Sequence, residues 1–560
     1  MAGVQDATLS AGAGAGDRQI RNAPRGAARG ARFLPGHGDR LFAGAAVSVG
    51  IWALFQNFYR IGVAPILNDE PTYTVAARRY LSGQILAPLP VTPQSNGVMQ
   101  FNDDNFEHPP LVKYLFGIAE WFDSSSTGVT AARAVSAAAA LLGALAIAVW
   151  IGRHAGRWTG LVAGGLLTVL PEEAGGSLGR FDRFAMLDTT AGMFMVLSVV
   201  LAWIWSRRSG RAGWVGAGLT GVAIGCASAS KENGFLGVIG PVVLILGAPL
   251  VGRDVRAFLI RCGQTVAAAL IALVTFLACY LPFSHPIARL HYLVAFQTNQ
   301  SAGGHLIGFD GRVTAHPPWW ANLWFAGHAW GSVLTVFLVV AALCAVVLRR
   351  DRLVAWCLAA LAVPFVFHCF IAHVALGYYW VMWTPFFLAL AALGIKEVVS
   401  RVAGLSRGSA RVVVAAIVGI AVLAVPVSES VAESVNVADL KPTGVTVVPG
   451  LMRADGLSGN VVTAGLPAWE WHYYMPTTKV YYSAKTPVPG AAIIVVGQPI
   501  CRVLIDQSVR ALVAVNLESG AVKQIYSDSL IVAYAVTGKL TMPTTAQINA
   551  EPPGALTDHC

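Results

Sequence analysis

The sequence predicts a polytopic α-helical membrane protein with about eleven spans and a small C-terminal α/β region. Three observations carry that expectation. The 560 residues are 55% hydrophobic and only 12% charged, about half the charged fraction of a soluble chain. Mean hydropathy is +0.60. Apolar runs near the bilayer-spanning length of about 20 residues recur along the first three quarters, and every second connection between them is rich in Arg. The net charge of +10 is therefore read as short Arg clusters flanking membrane spans and not as a nucleic-acid face.

The predicted spans centre on residues 42–62, 131–152, 157–171, 189–206, 213–229, 235–251, 263–282, 328–348, 353–373, 376–395 and 411–427. Residues 1–41 are rich in Gly, Ala and Arg without an apolar core, which reads as a disordered cytoplasmic tail and not as a signal peptide. Arg153/Arg157, Arg207/Arg208/Arg211, Arg253/Arg256/Arg261, Arg349/Arg350/Arg352 and Lys396/Arg401/Arg407 mark one set of loops. The alternate set is 63–130, 172–188, 230–234, 283–327, 374–375 and everything after 427. One orientation satisfies the positive-inside rule throughout, with the N-terminus inside and the C-terminus outside the cytoplasmic membrane. Residues 42–427 then form the membrane domain, with 63–130 as its large first outer loop, and 428–560 a soluble extracytoplasmic α/β domain. In that last part "VYYSA", "AAIIVV", "ALVAVNL" and "LIVAYAV" read as strands. Six of the eight cysteines lie in or beside apolar runs as small hydrophobes; Cys501 and Cys560 can form a disulfide if that side is oxidising. No CxxC or Cys/His metal spacing occurs.

The sidedness gathers the polar chemistry on one face. The first outer loop holds "LNDEPTY", with Asp69 and Glu70, then Asp103, Asp104 and "NFEHPPLVKY", with Glu107 and His108. Asp69 stands just past a span, where a carboxylate can take a proton from a hydroxyl; the alternative is a plain helix cap before Pro71. Pro109-Pro110 fixes the entry to a helix and sets Glu107 and His108 near its positive end, a place for phosphate or metal contact. "GRFDRFAMLDTT" carries Arg180, Arg183 and Asp188 into a span, either as interfacial charges or as a phosphate clamp. In "SASKENG", Lys231 ends a span where it can hold a lipid phosphate. A fourth loop contains His316, Trp319 and Trp320. "WEWHYY" (Trp469–Tyr474) either stacks on sugar rings or packs on the membrane domain.

Taken in this order, the motifs of residues 42–330 resemble the GT-C glycosyltransferases that use a polyprenyl-phosphate sugar donor. The protein O-mannosyltransferases and the bacterial lipid A aminoarabinose transferases are the most similar branches. The shared features are an Asp-Glu pair after the first span (Asp69-Glu70), Pro-Pro-Leu opening a helix (Pro109 to Leu111), "RF..LD" (Arg183, Phe184, Leu187, Asp188), a span ending in Lys with a nearby Gly (Lys231, Gly234), and a His-Pro loop with tryptophans (His316, Pro317, Trp319, Trp320). The mannosyltransferases place His before the prolines and the lipid A enzymes Glu-Lys; this chain, with Glu107-His108, mixes the two.

The resemblance implies an inverting transferase on the outer face of the membrane, moving a sugar from a polyprenyl-phosphate donor to a hydroxyl of a protein, lipid or cell-wall glycan. It makes Asp69 the general base, with Glu70 and Glu107 beside it in the catalytic group. It gives donor-phosphate contacts to His108, Arg183 and Lys231, and substrate or loop contacts to Asp188, His316, Trp319 and Trp320. Glu107 and Asp188 are the residues it offers to a divalent cation, Mg2+ or Mn2+. Ala, Gly and Arg usage fits a high-GC bacterial source. Two other classes stay open: a transporter or flippase of lipid-linked sugars, and a non-catalytic envelope scaffold.

Overall fold

The computed structural model describes residues 37–66, 69–82, 105–123, 129–172, 180–305, 307–310, 312–372, 374–466, 468–475, 477–497 and 507–551. The expectations for the N-terminal tail up to residue 36, for Asp103 and Asp104, and for a Cys501–Cys560 bridge lie outside these residues. The six described cysteines are free thiols. Met1–Ala45 and Ala46–Cys560 are separate compact units, and the described part of the first is the opening of helix α1 (His37–Phe58).

From α1 the chain passes to two short helices, α2 (Glu70–Leu81) and α3 (Leu111–Glu120). They pack on each other through small residues; a Cβ at Gly117 would lie 2.8 Å from the Ala77 carbonyl oxygen. The long bundle follows: α4 (Val129–Ala155), α5 (Arg157–Val169), α6 (Leu187–Ser206), α7 (Gly210–Ser230), α8 (Leu236–Val251) and α9 (Val255–Ala278). A short helix α10 (Pro286–Gly303) and a hairpin of β1 (Ile307–Phe309) with β2 (Arg312–Thr314) lead to α11 (Ala321–Trp330), α12 (Ser332–Leu348), α13 (Arg352–Val366), α14 (Thr384–Gly404) and α15 (Ser409–Asp439).

Among the described residues, seven helices are long and apolar enough to cross a membrane, or eight if α11 and α12, bent by 111° at Gly331, make one broken span. The chain is a membrane protein. The other expected spans fall on shorter or interrupted pieces. The run at 157–171 is the 13-residue α5, and that at 235–251 is the 16-residue α8, which contains Pro241 and Pro249. The run at 376–395 begins as a 3-10 turn, Tyr379–Met382, before α14 starts. Hydropathy marks a segment as apolar; it does not tell a spanning helix from one buried inside the bundle. The span in α6 is 67% buried and sits at the centre, whereas that in α9 is 11% buried and turns Val266, Leu270 and Val274 outward, as a lipid-facing helix does. Between helices, small residues allow backbones to touch. A Cβ on Gly394 of α14 would lie 1.7 Å from the Ala341 carbonyl oxygen of α12.

Beyond α15 the chain forms α16 (Val448–Ala454), β3 (Asn460–Ala464), α17 (Ala468–Tyr474), β4 (Val480–Tyr481), β5 (Ala491–Gly497), α18 (Gln507–Glu518), β6 (Val522–Ser527), β7 (Ile531–Val536) and α19 (Thr545–Ala550). The strands make one mixed sheet in the order β4-β3-β5-β7-β6, with parallel pairing at β4-β3-β5 and antiparallel pairing at β5-β7-β6. Three of the four strand expectations coincide with β4, β5 and β7. The fourth, "ALVAVNL", is instead part of α18, where Val509, Leu512, Val513 and Asn516 are buried at helical spacing. A short apolar run fits either period until its neighbours are known.

The "WEWHYY" stretch is α17, and it packs: Trp471 is fully buried under the sheet, and the Tyr474 hydroxyl accepts a hydrogen bond from the Ile66 N–H at 3.1 Å. Burial in the same helix pushes the Glu470 carboxyl up to about 7. The folded chain therefore keeps a proton on Glu470 that the unfolded chain releases near pH 4.5. The stability this contributes is full below about pH 4.5 and is lost as pH rises through about 7. Glu470→Gln removes that slope, so the melting temperature of the variant should gain on the wild type between pH 4.5 and 7 and then level off. A constant difference across that range would place Glu470 in water.

Candidate active site

Asp69 occupies the N-cap position of α2, but its side chain makes no cap hydrogen bond. Its Oδ2 instead accepts from the hydroxyl of Tyr378 at 2.9 Å. Tyr378 is fixed by stacking on Phe181, with ring centroids 4.9 Å apart and planes within 17°. The simple helix-cap alternative for Asp69 is thus not what its carboxylate does here. One turn along α2, Tyr73 is buried beside the His108 ring, 6.1 Å between centroids. Burial first, then the charges of Asp69 and Asp188, push the Tyr73 hydroxyl well up, so it stays protonated.

The Asn105–His108 loop is held from two sides. Buried Lys113, on the first turn of α3, donates to the carbonyls of Asn105 and His108, the latter at 2.8 Å. From α10, Gln297 Nε2 donates to the Glu107 carbonyl at 2.8 Å. The prolines end this loop at the start of α3, as their restricted φ requires. Burial pushes the Glu107 carboxyl up from its ordinary value, with His108 and Lys113 pulling the other way. His108 Nδ1 lies 3.1 Å from Glu232 Oε2.

Asp188, on the first turn of α6, and Lys231, just past α7, form a buried pair at 2.5 Å. Burial pulls the Lys231 ammonium down, but Asp188 outweighs it and the group is held above its usual value. The ammonium also lies over the Tyr379 ring, 4.5 Å from its centroid. Glu232, next in sequence, opens onto a groove of about 420 Å3 between α7, α8 and α9, lined by Phe235, Val238, Ala268, Leu273 and Phe276 and reaching Trp205 near the end of α6. Apart from Glu232, Ser228 and Thr265 its walls are apolar.

Other expected site residues have different surroundings. Glu70 is fully buried and accepts two hydrogen bonds from Arg133, Nε to Oε1 at 2.8 Å and Nη2 to Oε2 at 2.7 Å, and one from the Ala185 N–H at 2.6 Å. Arg133 also donates to the carbonyls of Ile61, Ala64 and Pro65. Arg183 donates to the carbonyls of Gln56 (2.5 Å) and Tyr59 (2.6 Å) and is buried on them. His316, Trp319 and Trp320 lie on an exposed aromatic face, where Trp319 stacks on Phe370 and Trp320 meets Phe309 edge-on. Asp69, Glu107, His108, Asp188 and Lys231 are thus linked through Tyr73, Tyr378, Tyr379 and Glu232, while Glu70 and Arg183 brace the surrounding chain.

The sequence reading did not single out Tyr73, Arg133, Tyr378 or Tyr379, and it placed Glu232 with Lys231 in an outer loop without giving it a role. Arg133 left one trace, as an Arg inside an apolar run and away from the Arg-rich loops. Among the described residues no three His, Cys, Asp or Glu side chains are grouped so as to hold a metal ion. Asp188 Oδ2 is buried without a hydrogen-bond partner among them.

Residues 47–298 match the sequence profile of the family described as dolichyl-phosphate-mannose-protein mannosyltransferase. The structure is similar to that of ArnT from Cupriavidus metallidurans bound to undecaprenyl phosphate, with a TM-score of 0.54 and 14% identity over 90% of this chain and 99% of that one. The chain shares the fold of this structure, and part of it matches the mannosyltransferase family profile. The apo oligosaccharyltransferase of Archaeoglobus fulgidus is also similar, with a TM-score of 0.53 and 12% identity over 90% of this chain and 75% of that one. At these identities the likeness to solved GT-C structures is one of fold. No curated protein matches the chain by sequence.

Proposed function

We propose that this GT-C chain is an inverting glycosyltransferase that takes its sugar from a polyprenyl-phosphate donor and passes it to a hydroxyl acceptor on the outer face of the cytoplasmic membrane. The observation that carries the reading is the junction at residues 231–232. There an apolar groove along the helix bundle ends at Glu232, whose Oε2 lies 3.1 Å from His108 Nδ1; Lys231, the preceding residue, pairs with Asp188 and lies over the ring of Tyr378, which holds Asp69. An amphiphile with a long apolar tail and a phosphate head matches that pairing of surfaces. The family profile and the undecaprenyl phosphate bound in the similar ArnT structure support it.

In the proposed step the acceptor oxygen attacks the anomeric carbon. The bond from that carbon to the phosphate oxygen breaks, and its electron pair leaves with polyprenyl phosphate. The hydroxyl proton passes to Asp69. A single displacement inverts the anomeric centre. His108 and Lys231 lie against the charge that grows on the leaving phosphate. Asp188 Oδ2 and Glu107 are the oxygens a Mg2+ or Mn2+ would meet, and such an ion would neutralise part of that charge. Tyr378 orients the base; Tyr378→Phe should lower kcat/KM about tenfold, as loss of one hydrogen bond to a charged group does, with little change in melting temperature.

The test is to incubate the purified protein with a panel of polyprenyl-phosphate sugars and candidate acceptors, with and without Mg2+ or Mn2+. Sugar-dependent release of polyprenyl phosphate supports the reading and names the sugar. A folded protein that neither binds undecaprenyl phosphate nor releases it from any donor would overturn the reading.

A further inference from the structure

Lys231 and His108, beside the head of the groove, each have a carboxylate partner, and the two pairs differ in reach. Lys231 and Asp188 are closed off, with side chains 3% and 1% exposed. His108 and Glu232 are more open, at 15% and 27%, and Glu232 itself lines the groove. A phosphate arriving along the groove therefore meets the Glu232 carboxylate beside the His108 ring. Burial pushes the Glu232 carboxyl up, but His108 and Lys231 outweigh it and hold it below the usual carboxylate range, so it stays charged.

The donor and the product differ in charge at this point. A sugar phosphodiester carries one negative charge. The phosphomonoester left after transfer carries about −1.5 to −2 near pH 7, as phosphomonoesters with a second pKa of about 6 do. Repulsion from a fixed carboxylate grows in proportion to ligand charge. We propose that Glu232 sets the balance between donor and product at the head of the groove, its charge disfavouring polyprenyl phosphate more than the polyprenyl-phosphate sugar and so driving product release. The inference rests on the donor-site reading above. Glu232 makes no bond to the reacting atoms; it acts through charge and through its hold on His108.

Glu232→Gln keeps the size of the side chain and an oxygen that can accept from His108, but removes the charge. Undecaprenyl phosphate should then bind and inhibit about tenfold more tightly, equivalent to about 1.4 kcal/mol. The KM for the donor should move less, and kcat should fall as release becomes limiting. A side chain needed only for folding would weaken product binding or leave it unchanged, and either result overturns the inference. If the variant does not fold, the unchanged protein carries the test: it should bind the monomethyl ester of undecaprenyl phosphate, which has one charge, more tightly than undecaprenyl phosphate. The reverse preference overturns the inference alone. No binding of either ligand by the wild type overturns the donor-site reading with it.

Discussion

Asp69→Asn lowers the rate of sugar transfer about 10²–10⁴-fold, the range that a positioned general base contributes. The prediction has geometric content. Asn has nearly the same shape, and its amide oxygen can still accept from the Tyr378 hydroxyl, now 2.9 Å from Asp69 Oδ2. The Tyr378–Phe181 stack is then undisturbed, and melting temperature should hardly change. What the variant cannot do is take a proton. Polyprenyl phosphate release, measured with saturating donor and acceptor, separates these effects. Activity within a few-fold of wild type would remove Asp69 from the base role and with it the proposed mechanism.

The second large effect concerns stability. Glu70→Gln leaves the Arg133 guanidinium buried beside a neutral side chain, and breaking a buried pair in this way costs about 3–5 kcal/mol. The loss spreads, because Arg133 also ties down the carbonyls of Ile61, Ala64 and Pro65, and Glu70 receives the Ala185 N–H. The segment on which Asp69 stands should loosen together with α4. Thermal unfolding in detergent should show a large drop for Glu70→Gln and for Arg133→Met. The double variant should lose less than the sum, since residues in one network couple. The opposite pattern, full stability with turnover abolished, would assign Glu70 the catalytic role that the resemblance to the mannosyltransferases implies.

These two neighbours show how far the sequence reaches. Composition and the spacing of apolar runs were enough to read a membrane protein, and the ordered motifs from Asp69 to Lys231 fall in the stretch that matches the mannosyltransferase family profile. Pro109-Pro110 marked the start of a helix at Leu111, because proline restricts its own φ and the residue before it. These are local properties, set by side-chain chemistry and backbone sterics over a few residues. The partners of each charge are not local. Successive residues on a helix point about 100° apart, so Asp69 and Glu70 face different surroundings although they are adjacent. One meets Tyr378, 309 positions further along, and the other meets Arg133 on α4. Tyr378 fell within an expected span, with nothing local to lift it out; in the fold it caps the 3-10 turn before α14 and, stacked on Phe181, brings its hydroxyl to Asp69. Likewise, Arg183 carries the same charge as Lys231, yet Arg183 is buried on backbone carbonyls while Lys231 is buried on the Asp188 carboxylate. The sequence by itself determined which chemical groups the chain has and in what order. The tertiary structure alone decided which partners each of them meets, because the energy of a buried charge depends on the few ångströms around it, and those neighbours come from distant parts of the chain.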